Sequence, residues 1–170
     1  AVQPHGLSAH RKGSRIYSAP SVHRFLLEGT GGGFPTEAFD FEKAGYPAGA
    51  AWRLNIKAES LDLPFNAAVR LLINTGHPQA GRLLSGKPGV IQSVLFHAIF
   101  EHMLLAVSES AIADEAAGHE EGSLGAVLDE LTHLYLGLSL STTLKALHSD
   151  RSRLLAKLQE ATGFLEGDSR

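Results

Sequence analysis

The sequence predicts an α+β fold, in which a small antiparallel sheet of three or four strands (residues 14–59) packs against four or five helices (residues 62–165). Two observations support this prediction. Before residue 60, apolar and polar residues alternate, which is the period of a strand with one exposed face. After it, apolar residues recur every three or four positions, as they do on one face of a helix. We assign residues 14–165 to one α+β domain, and residues 1–13 and 166–170 to polar tails.

The strongest strand signal is the alternation in residues 51–59, and residues 39–42 alternate in the same way. The turn-forming stretch 44–49 separates these two segments, so the sequence predicts a β-hairpin. Residues 15–18 and 22–28 are further strand candidates, followed by a glycine-rich loop. Opposite charges should meet across the exposed face of the hairpin, where the side chains are Asp40, Glu42, Arg53 and Lys57.

The helical part is predicted to begin at Asp62, a candidate N-cap that is followed by Pro64 in the first turn. This first helix would continue to Gly76, a typical C-terminal glycine. A short helical segment follows near residues 78–84, and longer helices begin near residues 123 and 149. In the first of these, apolar residues from Leu124 onwards recur at spacings of four and three, and a bend or break is predicted at residues 137–143. The predicted core residues share apolar character and regular spacing: Trp52, Leu54, Ile56, Phe65, Val69, Leu72, Val94, Leu95, Ile99, Leu128, Leu131 and Leu134.

Residues 90–107 form the longest helical segment, and they are apolar nearly all round, as expected of a helix surrounded by other elements. Polar side chains interrupt the segment, so we expect a core helix and no membrane span. Three of these side chains, namely Ser93, His97 and Glu101, fall on one face together with Ser108, which follows the segment. His102 lies about 100° away from Glu101 and is predicted to be a buried core histidine.

The composition excludes several classes of protein. Hydrophobic residues make up 44% of the 170 residues, too many for a disordered chain. The chain has no cysteine, which excludes disulfides, thiolate catalysis and cysteine-ligated metals. We found no catalytic motif: Gly81 to Lys87 has the spacing of a phosphate-binding loop, but Pro88 occupies the position of its hydroxyl residue. No cofactor is predicted, and we expect a cytoplasmic location.

The charge is distributed unevenly along the chain. Residues 1–60 have a net charge of +2, and residues 61–170 have a net charge of −5. Neither half carries the strongly basic surface that neutralises nucleic-acid phosphates, so nucleic-acid binding is not expected. The basic residues near the start are predicted to lie in a solvated tail.

One alternative is a metal-dependent enzyme or small-ligand binder. His97 and Glu101 are four residues apart on one helix, and Asp129 and His133 have the same spacing on another. Facing each other, the two pairs would supply four nitrogen and oxygen ligands to a metal ion, as in helical-bundle metal centres. The more specific Glu-x-x-His and His-Glu-x-x-His patterns are absent.

We favour a different function, a non-catalytic protein-interaction or assembly module that is a subunit of a homo- or hetero-oligomer. The helices carry more apolar surface than one small sheet can cover, which often indicates a protein interface. The contacts are predicted to come from the N-terminal tail, the glycine-rich loop 29–33 and the acidic loop 109–122. The charged residues of the tail and the acidic loop are Arg11, Lys12, Arg15, Asp114, Glu115, Glu120 and Glu121.

Overall fold

A computed structural model describes residues 34–87, 89–110 and 118–165 and confirms the α+β class. These residues contain three strands and six helices. Their order is β1 (Thr36–Phe39), β2 (Trp52–Ile56), α1 (Phe65–Ala68), β3 (Val69–Asn74), α2 (Ala80–Leu84), α3 (Val90–Ser108), α4 (Leu124–Leu136), α5 (Leu140–Ser149) and α6 (Arg151–Ala161). The strand candidates 15–18 and 22–28, the loop 29–33 and both predicted tails lie outside the described residues.

The sheet is mixed, whereas an antiparallel sheet was predicted. Strand β3 lies at its centre, parallel to β1 and antiparallel to β2. The predicted hairpin is wrong, because β1 ends at Phe39 and pairs with β3 instead of β2. The charged pairs differ accordingly. Arg70 on β3 contacts Glu37 on β1 at 2.9 Å, and Asp40 contacts Lys43 at 3.2 Å.

Strand β3 occupies residues that were predicted to continue the first helix. The helix start is real but lasts one turn, α1, after which the chain becomes extended at Val69. Five of the six residues of β3 are buried, because neighbouring strands and helices cover both of its faces. A short apolar run of this kind has no period of two, so its sequence also fits a helix.

The buried side chain of Asn74 closes one end of the sheet. Its Oδ1 accepts hydrogen bonds from the backbone N–H groups of Phe41 and Gly76, at 3.2 and 2.9 Å. Its Nδ2 donates to the carbonyls of Ala48 and Ala50, both at 2.8 Å. Asn74 therefore holds the connection between β1 and β2 against the end of β3.

The helices form a layer beside this sheet. Helix α3 packs against β2, α2, α5 and α6, and helices α4, α5 and α6 pack against one another. Most predicted core positions are buried or partly buried, but Leu134 is 46% exposed. The predicted break after residue 137 is present, since Gly137 takes the left-handed conformation (φ 66°) and ends α4. Ser139 and Asp150 then cap α5 and α6 with their side chains.

Candidate functional site

Helix α3 is the most apolar element among the described residues. In that part of the chain it is the one helix that is long and apolar enough, by length and composition, to cross a bilayer. The core helices of globular proteins can meet the same criteria. Of the residues in its apolar window, 39% are buried, and most of the others are partly buried. The neighbouring elements therefore leave one side of an apolar helix partly accessible, which makes α3 the centre of the candidate site.

The inner polar residue of α3 is His97, which is only 4% exposed. Its Nδ1 lies 3.2 Å from Oγ1 of Thr162, just after α6, and its ring packs against Phe164 with centroids 4.7 Å apart. Its Nε2 lies 3.4 Å from Oε2 of Glu101, one turn further along α3. The predicted polar face of α3 therefore meets the end of α6.

The surroundings of His97 favour its neutral form. Burial lowers the pKa of His97, and the nearby carboxylate of Glu101 opposes this effect without cancelling it. The one hydroxyl proton of Thr162 is donated to the carbonyl of Leu158 at 2.8 Å, so a ring with its proton on Nδ1 donates to the oxygen of Thr162. His97 therefore joins α3 to the end of α6 through a hydrogen bond of its neutral ring.

The outer side of α3 borders an open groove of about 480 Å³. Trp52 of β2 forms one wall, and the exposed His102 lies on the other. The prediction that His102 is buried is therefore wrong, and His97 is the buried histidine instead. Apolar side chains and two carboxylates complete the lining, which consists of Trp52, Ala98, Glu101, His102, Leu105, Ala106 and Glu109.

Three apolar residues form what we call the outer stripe of α3: Val94, Ala98 and Ala106. Each is partly exposed, and none packs against the buried core cluster. Ala98 and Ala106 also line the groove. The outer stripe and the groove thus overlap at Ala98 and Ala106, and the polar groups of the lining are Glu101, His102 and Glu109.

The two predicted metal-binding pairs are not brought together. Asp129 and His133 contact each other at 3.3 Å on α4, where both side chains are largely exposed. The carboxylate of Asp129 has a structural partner, since its Oδ1 accepts from the backbone N–H of Leu140 at 2.7 Å. Nowhere in residues 34–87, 89–110 and 118–165 do three His, Asp or Glu side chains converge as metal ligands.

Most of the predicted interaction residues, namely Arg11, Lys12, Arg15, Asp114 and Glu115, lie outside the described residues. Glu120 and Glu121 are described, and both are exposed in the turn before α4. The carbonyl of Glu120 accepts from the N–H of Ser123, which is the N-cap of α4. This turn thus places two carboxylates in solvent at the start of α4.

Sequence reasoning missed a contact between Asp62 and His119. Their side chains meet at 3.0 Å, although 57 positions separate them in the chain. The backbones beside them are also joined, because Leu124 and Gly125 donate to the carbonyls of Leu63 and Leu61, both at 2.8 Å. No local sequence pattern indicates this contact, since the position of Asp62 before Pro64 is also typical of a helix N-cap.

Sequence reasoning also missed the place of Trp52, which was assigned to the core and lines the groove as well. The alternation of Trp52 with polar neighbours indicated that its side chain faces the helices. It did not indicate that this side chain also borders a groove open to solvent. No protein-family model, curated protein or solved structure matches this chain.

Proposed function

We propose that this protein is a non-catalytic interaction or assembly module, a subunit of a homo- or hetero-oligomer that binds its partner through the outer stripe of α3. The observation that carries the proposal is the incomplete burial of this helix, since 39% of the residues in its apolar window are buried and most of the others are only partly buried. Apolar surface left in water is unfavourable by about 25 cal/mol per Å². Covering it with a partner recovers that free energy.

The features of α3 favour a protein partner over a lipid bilayer. His97 and Glu101 lie in the middle of the helix, and ionisable residues are costly in the hydrocarbon of a membrane. The helix also packs against one strand and three helices, which would have to separate before it could insert. The cytoplasmic location and the absence of a cofactor remain predictions that accompany this proposal.

The outer stripe offers a second surface small apolar side chains with one polar ring among them. Ala98 and Ala106 are small, and the exposed His102 lies between them on the same face of α3, so a partner would contact its ring as well. The flanking carboxylates Glu101 and Glu109 would form the polar rim that surrounds the apolar centre of many interfaces. We therefore expect the outer stripe and the two flanking carboxylates to be covered by the partner in the assembled state.

Analytical ultracentrifugation over a range of concentrations tests the proposal. We expect self-association that Ala98→Glu weakens, because a carboxylate in the centre of the interface would have to be desolvated. Leu134→Glu is the matched control, since Leu134 is exposed on α4 and away from the outer stripe.

A monomer at every concentration would contradict the homo-oligomer. The hetero-oligomer then requires a defined partner whose binding is lost in Ala98→Glu and kept in Leu134→Glu. Equal effects of the two substitutions would contradict a role for the outer stripe in either form.

A further inference from the structure

The groove beside α3 has a lining that suits a positively charged group. Two carboxylates, Glu101 and Glu109, line it, and no lysine or arginine is among its lining residues. Glu109 has no ion-pair partner among the described residues, and the contact of Glu101 with the buried His97 is long at 3.4 Å. His102 is the one basic side chain in the lining, so carboxylates outnumber basic groups in the groove.

The apolar lining narrows the kind of cation that fits. Trp52 forms one wall, and an indole ring attracts a guanidinium or ammonium group. Leu105 and the alanines offer apolar surface along which the methylene stem of such a side chain can lie. Arginine and lysine side chains combine these two properties, whereas a bare metal ion would use only the carboxylates.

The chain itself supplies a segment of this chemistry. Residues 1–27 contain Arg11, Lys12, Arg15 and Arg24 and no aspartate or glutamate. We propose that the basic segment, residues 11–15 (Arg-Lys-Gly-Ser-Arg), docks in the groove of its own chain, pairing with Glu101 and Glu109 and contacting Trp52. The basic segment is favoured as the bound group because its charge is opposite to that of the two carboxylates in the groove.

The strength of such contacts explains why the segment of the same chain is favoured over that of a second copy. A few partly exposed ion pairs and one cation–π contact give a dissociation constant of about 1 mM or weaker. A second copy at micromolar concentration would leave such a site empty. Attachment to the same chain raises the effective concentration to the order of millimolar, which is enough to populate it.

The tether is also long enough. Residues 16–33 connect the basic segment to Phe34, where the described residues begin, and a chain of this length can span roughly 60 Å. A folded protein of this size is roughly 40 Å across. At full extension the tether is therefore longer than the protein is wide.

This inference does not depend on assembly, although both concern the outer side of α3. The docked segment would cover Ala98 and Ala106 in part, so a partner would compete with it. Different measurements test the two proposals. The mass of the protein in solution tests assembly, and the contacts of residues 11–15 test docking.

Zero-length carbodiimide cross-linking of the full chain tests docking directly, because it joins a lysine amine to a carboxylate in contact. The sample is an equal mixture of ¹⁴N- and ¹⁵N-labelled chains, and the cross-linked peptides are mapped by mass spectrometry. We expect Lys12 to be joined to Glu101 or Glu109 in peptides of a single isotope. Lys12→Arg should lose these cross-links.

Two cross-linking results would overturn the proposal. Joining of Lys12 to Glu120 and Glu121 as often as to the groove carboxylates would show that the segment has no preference. Peptides that mix the two isotopes would show that a second copy supplies the segment.

Trp52 is the single tryptophan of the chain, so its fluorescence reports on the groove alone. We expect the triple variant Arg11→Glu, Lys12→Glu, Arg15→Glu to shift its emission to longer wavelength, because the uncovered ring meets more water. Added salt should shift wild-type emission in the same direction and leave the variant unchanged. Adding Glu109→Lys to the triple variant should reverse part of the shift.

The matched control reverses three exposed charges on α6, with Arg151→Glu, Arg153→Glu and Lys157→Glu. These residues do not line the groove, and we expect the emission of Trp52 to stay unchanged. An emission spectrum that is identical in the wild type and the N-terminal variant would refute docking. So would an equal shift in the α6 control.

Discussion

Nε2 of His97 lies 3.4 Å from Oε2 of Glu101, but the two side chains differ in exposure, at 5% and 30%. The imidazole is thus held away from water beside a carboxylate that water still reaches. Burial is the larger effect on the pKa of His97 and lowers it, while the charge of Glu101 acts in the opposite direction. The contact between α3 and α6 therefore depends on a histidine that is stable when neutral.

The first prediction is a loss of stability in mild acid. The pKa of His97 is lower in the folded protein than the ordinary value of 6.5, which it regains on unfolding. Below pH 6.5 the unfolded chain therefore binds the proton more readily than the folded protein does. The contribution of neutral His97 to the free energy of unfolding is fully present above pH 6.5 and is lost as the pH drops through the folded pKa. Urea unfolding at a series of pH values measures this dependence, and His97→Gln should make it less steep.

Glu101→Gln provides the complementary variant. It removes the charge that raises the pKa of His97, so the pKa should fall further and the acid dependence should become steeper. NMR titration of the His97 ring measures the same change directly. If the wild type and both variants lose stability equally between pH 7.5 and 5.5 (values chosen to lie roughly one unit on either side of 6.5), His97 is not the group responsible.

The second prediction concerns Asn74. Replacing it with alanine leaves two N–H groups and two carbonyls at the end of the sheet without their partner. We expect the free energy of unfolding to decrease by about 2–4 kcal/mol, since buried polar groups without partners are costly. Asn55→Ala is the matched control, because Asn55 lies in β2 with an exposed side chain. Its effect should stay within about 0.5 kcal/mol.

The third prediction assigns Asp129 a structural role. Its carboxylate caps the first turn of α5 from the neighbouring helix, through the 2.7 Å hydrogen bond to the N–H of Leu140. We expect Asp129→Ala to destabilise the protein by about 1–2 kcal/mol in thermal or urea unfolding. Glu130→Ala, which removes an exposed carboxylate one position later, should have almost no effect. Equal effects of the two substitutions would contradict the capping role.

The sequence predicted those parts of the fold that depend on local patterns. The apolar spacing of Leu124, Leu128 and Leu131 correctly identified the buried face of α4, and Gly137 correctly marked its end. The α+β class followed from the change of period near residue 60. These signals suffice because each element shows its own amphipathic pattern without reference to the rest of the chain.

Elements without an amphipathic pattern were predicted less well. Strand β3 lacks alternation because both of its faces are covered, and its spacing imitates a helix. Helix α3 is apolar nearly all round, so its sequence does not indicate which side faces inwards. For that reason His97 and His102 were assigned to the wrong environments. Their difference depends on the position of α6, which no local pattern in α3 contains.

The fourth prediction concerns the contact between His119 and Gly125, at the start of α4. The side chain of His119 is 6% exposed, and its ring lies over the backbone of Gly125. A Cβ added at position 125 would overlap this ring. Gly125→Ala should therefore destabilise the protein by about 1–3 kcal/mol in urea unfolding, although alanine is the better helix former by about 1 kcal/mol.

Gly81→Ala is the matched control for this substitution. Gly81 is also helical, in α2, but an added Cβ there meets nothing within 4 Å. We expect a gain in stability of up to about 1 kcal/mol, the ordinary effect of replacing a helical glycine.

A double-mutant cycle identifies the cause. In the background of His119→Ala the overlap is gone, so Gly125→Ala should lose most of its cost and approach the effect seen at Gly81. A cost that persists without the ring would mean that the backbone at position 125, rather than His119, excludes a side chain. The close approach of His119 to α4 would then not explain why a glycine stands there.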